Sequence, residues 1–176
     1  MTLESIAYNE FILKSLSAWE DGWFVLTCGD FEKGDFNAMT ISWGSIGVIW
    51  NKPFVQVVVR PTRYTYTFMQ KYPDFSVCAF GEEYRKALRL LGSKSGRKMD
   101  KISASKLTPI QSQVVSAPSF AEANLVLECR KMYQAPFLPA SFLDPDINKL
   151  YSANDYHTSY FGEILKIYGD RSKYVN

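Results

Sequence analysis

The sequence predicts a mainly β fold, a closed barrel with short helical additions, and three observations point there. At least six segments are rich in β-branched and aromatic residues and bounded by turn residues. Helical periodicity is confined to a few short stretches, too few for the alternating helices of a doubly wound sheet. Composition completes the case: 176 residues, 47% hydrophobic and 22% charged, suffice for one domain with a real core and are unlike a disordered chain.

Residues 9–17, NEFILKSLS, read as a short helix or amphipathic lead-in. WFVLTCGD (23–30) and FNAMTISWGSIGVIW (36–50) read as strands, with Gly44 and Gly47 marking a bend or a close backbone approach. FVQVVVR (54–60) is almost continuously apolar, as expected for a strand covered on both faces. YTYTFMQKYP predicts a short helix stopped near Pro73, and DFSVCAF (74–80) another strand. In EEYRKALRLLGSKSG, Tyr84, Ala87, Leu88 and Leu91 follow the i, i+3, i+4, i+7 rule of a helix, and Gly92 supplies the stop. Glu82 and Glu83 suit the positive end of that helix's dipole. KMDKISASKL adds a second helical turn before Thr108-Pro109, and IQSQVV, ANLVLECRKMYQA and SYFGEILKIYGD read as further strands. The last two are separated by an irregular loop containing Pro136, Pro139 and Pro145, long enough to be a functional loop or a lid. Without a repeat or a linker, 1–176 reads as a single domain.

Charge and cysteine usage narrow the function classes. The formal net charge is only +2, with both signs scattered, which is too balanced for a dedicated nucleic-acid binder; any anion site must be local. No apolar run approaches the roughly 20 residues of a membrane span, and the first residues lack a secretory pattern. Cys28, Cys78 and Cys129 are odd in number and widely spaced beside apolar neighbours, so they read as reduced, buried thiols and the cytoplasm as the default location.

Four places carry candidate chemistry. Arg60 ends an apolar strand and Arg63 follows a Pro-Thr turn; guanidinium forks match phosphate oxygens, though two solvated surface charges would look the same. GSKSGRKMDK (92–101) offers Gly92, Ser93, Lys94, Ser95 and Gly96 as a nest for phosphate, or a flexible basic loop, and it lacks the P-loop spacing. In TISWGS (40–45), Thr40 and Ser42 alternate with Ile41 and Trp43, so a hydroxyl face suits the polar edge of a heterocycle. The alternative is a barrel strand with Trp43 in the core. His157, the single histidine, could line a substrate pocket or donate a proton, with Asp155 orienting it, or be structural. One histidine leaves no Ser-His-Asp, Cys-His or metal-ligand constellation to build.

Taken in order, NAMTISWGS, RPTRYTYTFM, DFSVCAF, GSKSGRKMDK, LTPI and HTSYFGEI resemble the flavin reductase-like family of FMN-binding split barrels, most closely its flavoredoxin-type members, over roughly residues 20–168. The resemblance implies a six-stranded split β-barrel of the FMN-binding type with short flanking helices. It also implies a homodimer with non-covalent FMN near the subunit interface. Thr40, Ser42 and Trp43 would contact the isoalloxazine and ribityl chain, partly through backbone amides. Arg60, Arg63, Tyr64 and Thr65 would form the phosphate-side wall, completed by Ser93, Lys94, Ser95, Gly96 and Lys101. His157 would face the nicotinamide or acceptor pocket. Many relatives read Gly-Asp-His there, whereas this chain has an extra tyrosine in Asn154-Asp155-Tyr156-His157.

A phosphate monoester carries about −1.5 to −2 charges at neutral pH, which two arginines and a lysine from separate segments would offset. The function implied is an FMN-dependent reductase taking hydride from NADH or NADPH and passing electrons to a small-molecule or protein acceptor. The alternatives are an electron carrier without efficient NAD(P)H activity and a pyridoxamine-phosphate-oxidase-like enzyme. No G-x-G-x-x-G fingerprint is present, so a nicotinamide would have to bind against the flavin itself. Nucleic acid and membrane are not expected partners.

Overall fold

The computed structural model describes residues 3–176. Its strands are β1 (Glu4–Ser5), β2 (Phe24–Asp30), β3 (Asp35–Ile41), β4 (Gly44–Ile49), β5 (Lys52–Val59), β6 (Asp74–Ala79), β7 (Pro109–Ile110), β8 (Ser119–Phe120), β9 (Leu125–Pro136) and β10 (Thr158–Gly169). The α-helices are α1 (Ser15–Ser17), α2 (Tyr64–Lys71), α3 (Arg85–Ser93), α4 (Lys101–Ser105) and α5 (Arg171–Tyr174). Among the described residues no helix is long and apolar enough to cross a membrane.

One antiparallel sheet runs β3-β2-β6-β9-β10-β5-β4, with β1 added on β10. β3 and β4 lie at opposite ends of that order, yet only Ser42 and Trp43 separate them in the chain. Three Cα steps span at most about 11 Å, so the two edges must meet and the sheet must roll into a barrel. The run predicted as one strand, 36–50, is thus bent in the middle and serves both edges. Counted as one, it makes the barrel six-stranded. The split lies at the bend.

Alternation along the strands decides what fills the barrel. Phe24, Leu26 and Cys28 of β2, Phe75 and Val77 of β6, and Leu125, Leu127 and Cys129 of β9 share the interior core with Val55, Val57, Val59 and Tyr160. The intervening Val25, Cys78 and Val126 face outward and meet Leu88 and Leu91 of α3 in a second core. Phe68 and Met69 of α2 join the first. The three cysteines are free and buried.

Three elements differ from the sequence reading. The lead-in 9–17 is helical only over Ser15–Ser17, followed by a π-helical turn at Ala18–Gly22, because Phe11 bridges to Val175 and Ile12 N–H donates to the Tyr174 carbonyl. Gly92 does not stop α3, which runs on to Ser93. Its role is proximity: a Cβ there would lie 3.2 Å from Thr40 Cβ on β3. IQSQVV contributes only Ile110 to a strand. Beyond it the chain is held by side chains: Glu128, fully buried, accepts from the N–H groups of Gln113 (2.7 Å) and Val114 (2.6 Å), and Asp74 accepts from the N–H groups of Ser116 and Ala117 and from the Ser116 hydroxyl. Those amides are spent on carboxylates and have none left for a ladder.

Candidate functional site

The bend between β3 and β4 is where the site begins. The β2–β3 ladder ends at Ile41 and the β4–β5 ladder starts at Gly44, so the backbone of Ser42 and Trp43 has no strand partner. A cavity of about 200 Å³ opens here, lined by Thr40, Ser42, Trp43, Val58, Arg60, Arg63 and His157 among others. Met39, Arg60 and Arg63 are shared with an adjoining cavity of about 420 Å³ that takes in Tyr64, Thr65, Ser93, Lys94, Ser95 and Lys101. Twelve of the thirteen residues that the family resemblance assigns to the site therefore line one continuous groove.

Gly96 is the exception. It packs behind the wall, where a Cβ would meet Asn37 Oδ1 at 2.6 Å and Tyr64 Cδ1 at 2.8 Å. It lets the 92–98 loop lean on those residues and does not line the groove. Trp43 is not in the core: it is 46% exposed at the groove mouth, its ring centroid 5.3 Å from that of His157. Trp19 fills the barrel instead.

The larger cavity is cationic at its floor. α2 begins at Tyr64 with Arg63 as its N-cap and no side chain capping it, so the first amides of the helix are open to a ligand. Thr65 is buried, and its Oγ1 accepts from Asn37 Nδ2 at 2.7 Å, leaving its own proton to donate. Arg63 Nη1 donates to the Gly92 carbonyl at 2.9 Å, which uses one of its five donors. In the reverse direction Arg97 Nη1 donates to the Thr62 carbonyl at 3.1 Å and its guanidinium lies 5.0 Å from the Tyr64 ring centre. These crossed arginines staple the 60–64 turn to the 92–98 loop. Arg97 was not foreseen; only its place in a basic run hinted at it.

Lys101 is buried, with Nζ donating to the carbonyls of Leu91 (2.9 Å) and Lys94 (3.2 Å). Burial, and then the nearby Arg63 charge, lower its pKa to about 8. Neither Arg63 nor Lys101 has an acidic partner among the described residues. Two like charges near each other without a counter-ion leave the positive charge of this cavity uncompensated.

Arg60 behaves differently from expectation. Its Nη1 pairs with Asp155 at 2.8 Å, its Nη2 donates to the Leu150 carbonyl at 2.9 Å, and its guanidinium sits 4.9 Å from the Tyr151 ring centre. It ties the 137–157 loop to the barrel rim, and the hydrogen bond from Arg60, with its charge, in turn lowers the Asp155 pKa. Asp155 accordingly does not orient His157. That role falls to Tyr151, whose hydroxyl is 2.8 Å from His157 Nδ1. His157 is 9% exposed, and burial, then the Arg60 charge, bring its pKa down to about 4, so the ring is neutral at pH 7. Thr40 also has a structural bond, donating to the Leu88 carbonyl at 2.5 Å, and Ser93 donates to Arg89 at 2.8 Å.

A larger cavity of about 510 Å³ lies between the 12–22 segment and the start of α3. Its walls are chiefly apolar, and its arginine, Arg85, is already bound to the carbonyls of Asp21 and Gly22. The groove at the bend, in contrast, gathers Arg63, Lys101 and the open amides of α2 around one point, the usual mark of a small-molecule site.

Comparison with known proteins bears on the fold and the family. A crystal structure of an FMN-binding domain of a flavin reductases-like enzyme from Shewanella baltica OS155 superposes with a TM-score of 0.70 at 13% identity, covering 96% of this chain and 78% of that one. Flavoredoxin of Desulfovibrio vulgaris (Miyazaki F) gives 0.67 at 21% identity, covering 96% and 77%. An NADH:FAD oxidoreductase of Streptomyces globisporus C-1027 gives 0.64 at 18%, covering 90% and 82%. At such identities the likeness is one of fold, the split barrel. The family model described as Flavin reductase like domain matches residues 17–174, and the chain belongs to that family.

Proposed function

We propose that this protein binds FMN non-covalently and works as an NAD(P)H-dependent reductase. The observation that carries the reading is the Arg63–Lys101 pair, without an acidic partner, beside the open amides of α2. It suits a phosphate monoester, whose charge the two cations and Lys94 would offset. The adjoining cavity of about 200 Å³ has the unpaired backbone of Ser42 and Trp43 on one side and neutral His157 on the other, a fit for a flat heterocycle with polar edges. When bound, FMN would accept hydride from NADH or NADPH and release electrons to a second acceptor.

The chain's own work is to bind, orient and shield. Arg63, Lys101, Thr65 and the α2 amides would hold the phosphate, and Ser42 and Trp43 amides the ring edge. Trp43 and the 137–157 loop would limit water at the open face. His157, being neutral, would hold an incoming ring by a hydrogen bond instead of supplying a proton. A homodimer is part of the proposal. Its support is the aromatic ladder of Trp50, Phe161, Tyr133 and Phe54 beside the site's own strands, with Trp50 and Tyr133 exposed and the two phenylalanines half-buried, an apolar surface for a second copy to cover. The buried thiols support a reducing, cytoplasmic setting.

The test is optical. The purified protein should bind FMN with quenching of its fluorescence, and rapid mixing of the FMN-loaded protein with NADH or NADPH should bleach the yellow band. FMN binding without bleaching would assign an electron carrier; no FMN binding would end the proposal.

A further inference from the structure

Tyr151 sits in the loop between β9 and β10 and is 3% exposed, unusually deep for a residue outside regular structure. Its ring is stacked with Phe142 (6.0 Å, 10°) and Tyr156 (4.7 Å, 29°), and the Arg60 guanidinium lies over it. Its hydroxyl reaches one target, Nδ1 of the sole histidine, at 2.8 Å. The other ring nitrogen, Nε2, has no hydrogen-bond partner among the described residues and is not among the buried unpaired atoms, so it opens onto the groove that His157 lines.

Which atom of the pair donates follows from chemistry. A phenol O–H is a strong donor and a weak acceptor, while an imidazole lone pair is a strong acceptor. A cation over the Tyr151 ring draws electron density from the oxygen and sharpens that preference. We propose that Tyr151 is a positioning residue of the site: its hydroxyl donates to Nδ1 and holds His157 as the neutral Nε2–H tautomer, a hydrogen-bond donor aimed at a carbonyl-bearing ring such as a carboxamide-substituted pyridine. The charged and titratable groups around the pair are Arg60, Arg63 and Asp155, together with Tyr156 stacked on Tyr151. Burial raises the Tyr151 pKa and lowers that of His157, so neither member changes charge near neutrality. Nothing in the pair needs to ionise for the donor to act. Its purpose in catalysis rests on the flavin reading, but the tautomer itself does not.

Because the chain has one histidine, imidazole nitrogen-15 spectra report the pair without assignment ambiguity. The expected spectrum of the wild-type protein at pH 7 shows the proton on Nε2 and a bare Nδ1. Tyr151→Phe keeps the stacked ring and removes only the O–H, and should give a mixture of tautomers with an unchanged fold by circular dichroism. In the FMN-loaded protein the same variant should raise the KM for NADH about fivefold, the scale of one hydrogen bond, with FMN affinity unmoved. A proton on Nδ1 in the wild type, or a Tyr151→Phe spectrum identical to it, overturns the inference. Failure of the wild type to bind FMN would instead end the functional reading and leave the nitrogen spectra to decide the tautomer.

Discussion

Arg63 and Lys101 come from segments 38 positions apart (101 − 63) and are pressed together without an acid between them. Arg63→Ala should weaken FMN binding by about 2 kcal/mol, or roughly thirtyfold, in a fluorescence titration. An unchanged dissociation constant would make Arg63 a solvated charge. Lys101 sets the pH dependence. Its pKa in the fold, about 8, lies below the ordinary lysine value, so in the free protein its contribution to stability is full above about 10.5 and is lost as pH falls through about 8. A bound phosphate reverses that preference by favouring the ammonium. FMN affinity should therefore hold between about pH 7 and 8 and drop about tenfold by pH 9.5, and Lys101→Met should flatten the profile. His157 has the opposite neighbourhood. With its pKa lowered to about 4, its contribution to stability is full above about 6.5 and falls as pH drops toward 4, and activity should show no histidine inflection near pH 6.5. Arg60, by contrast, is a loop anchor already neutralised by Asp155.

The element that matters most is the bent strand shared by β3 and β4. Its bend frees two backbone units for ligand, and Gly44 makes the bend possible: a Cβ there would run into the Trp19 ring and the Gln56 carbonyl. Gly44→Ala should cost about 2–4 kcal/mol in a denaturant melt and impair FMN binding with it. An equally instructive element is the irregular chain at 111–118. Its IQSQVV start, with paired valines, reads as a strand, but the buried carboxylate of Glu128 takes the amides of Gln113 and Val114. Glu128→Gln keeps one acceptor oxygen but puts an NH₂ group against the other of the two N–H donors, and should destabilise the protein by about 2–3 kcal/mol, read from the same melt. A melt indistinguishable from wild type would mean the loop is held by something else. The β4–β5 hairpin has Trp50 and Asn51 at positive φ, as its two-residue turn requires.

At the scale of the whole molecule, closure of the barrel brings the 40–43, 60–65 and 92–101 segments around one groove, and the same closure leaves an aromatic surface bare. Trp50 is 57% exposed and Tyr133 49%. Light scattering should find a dimer, and Trp50→Asn, which suits the positive φ at that position, should shift it toward monomer. A wild-type monomer that binds FMN tightly would show that the interface is not part of the site.

The main strands, the two longer helices and the groups that meet in the groove were legible because each is a local pattern: alternation, helical spacing, cations where a strand runs out. Local pattern made the arginines, the 92–96 turn and the hydroxyls of 40–43 candidates, and the family resemblance, not spacing, divided them between an anion and a flat ring. Tertiary structure decided their partners. Asp155 was placed beside His157 by proximity in the chain and went to Arg60 instead, while Tyr151, six residues away across an irregular loop, took the imidazole. Trp43 went to the groove mouth while Trp19 took the core, and the carboxylate of Glu128 claimed amides that the sequence left for a ladder. Hydrogen-bond and ion-pair partners depend on distances set by the closing of the barrel, and no spacing along a chain encodes those.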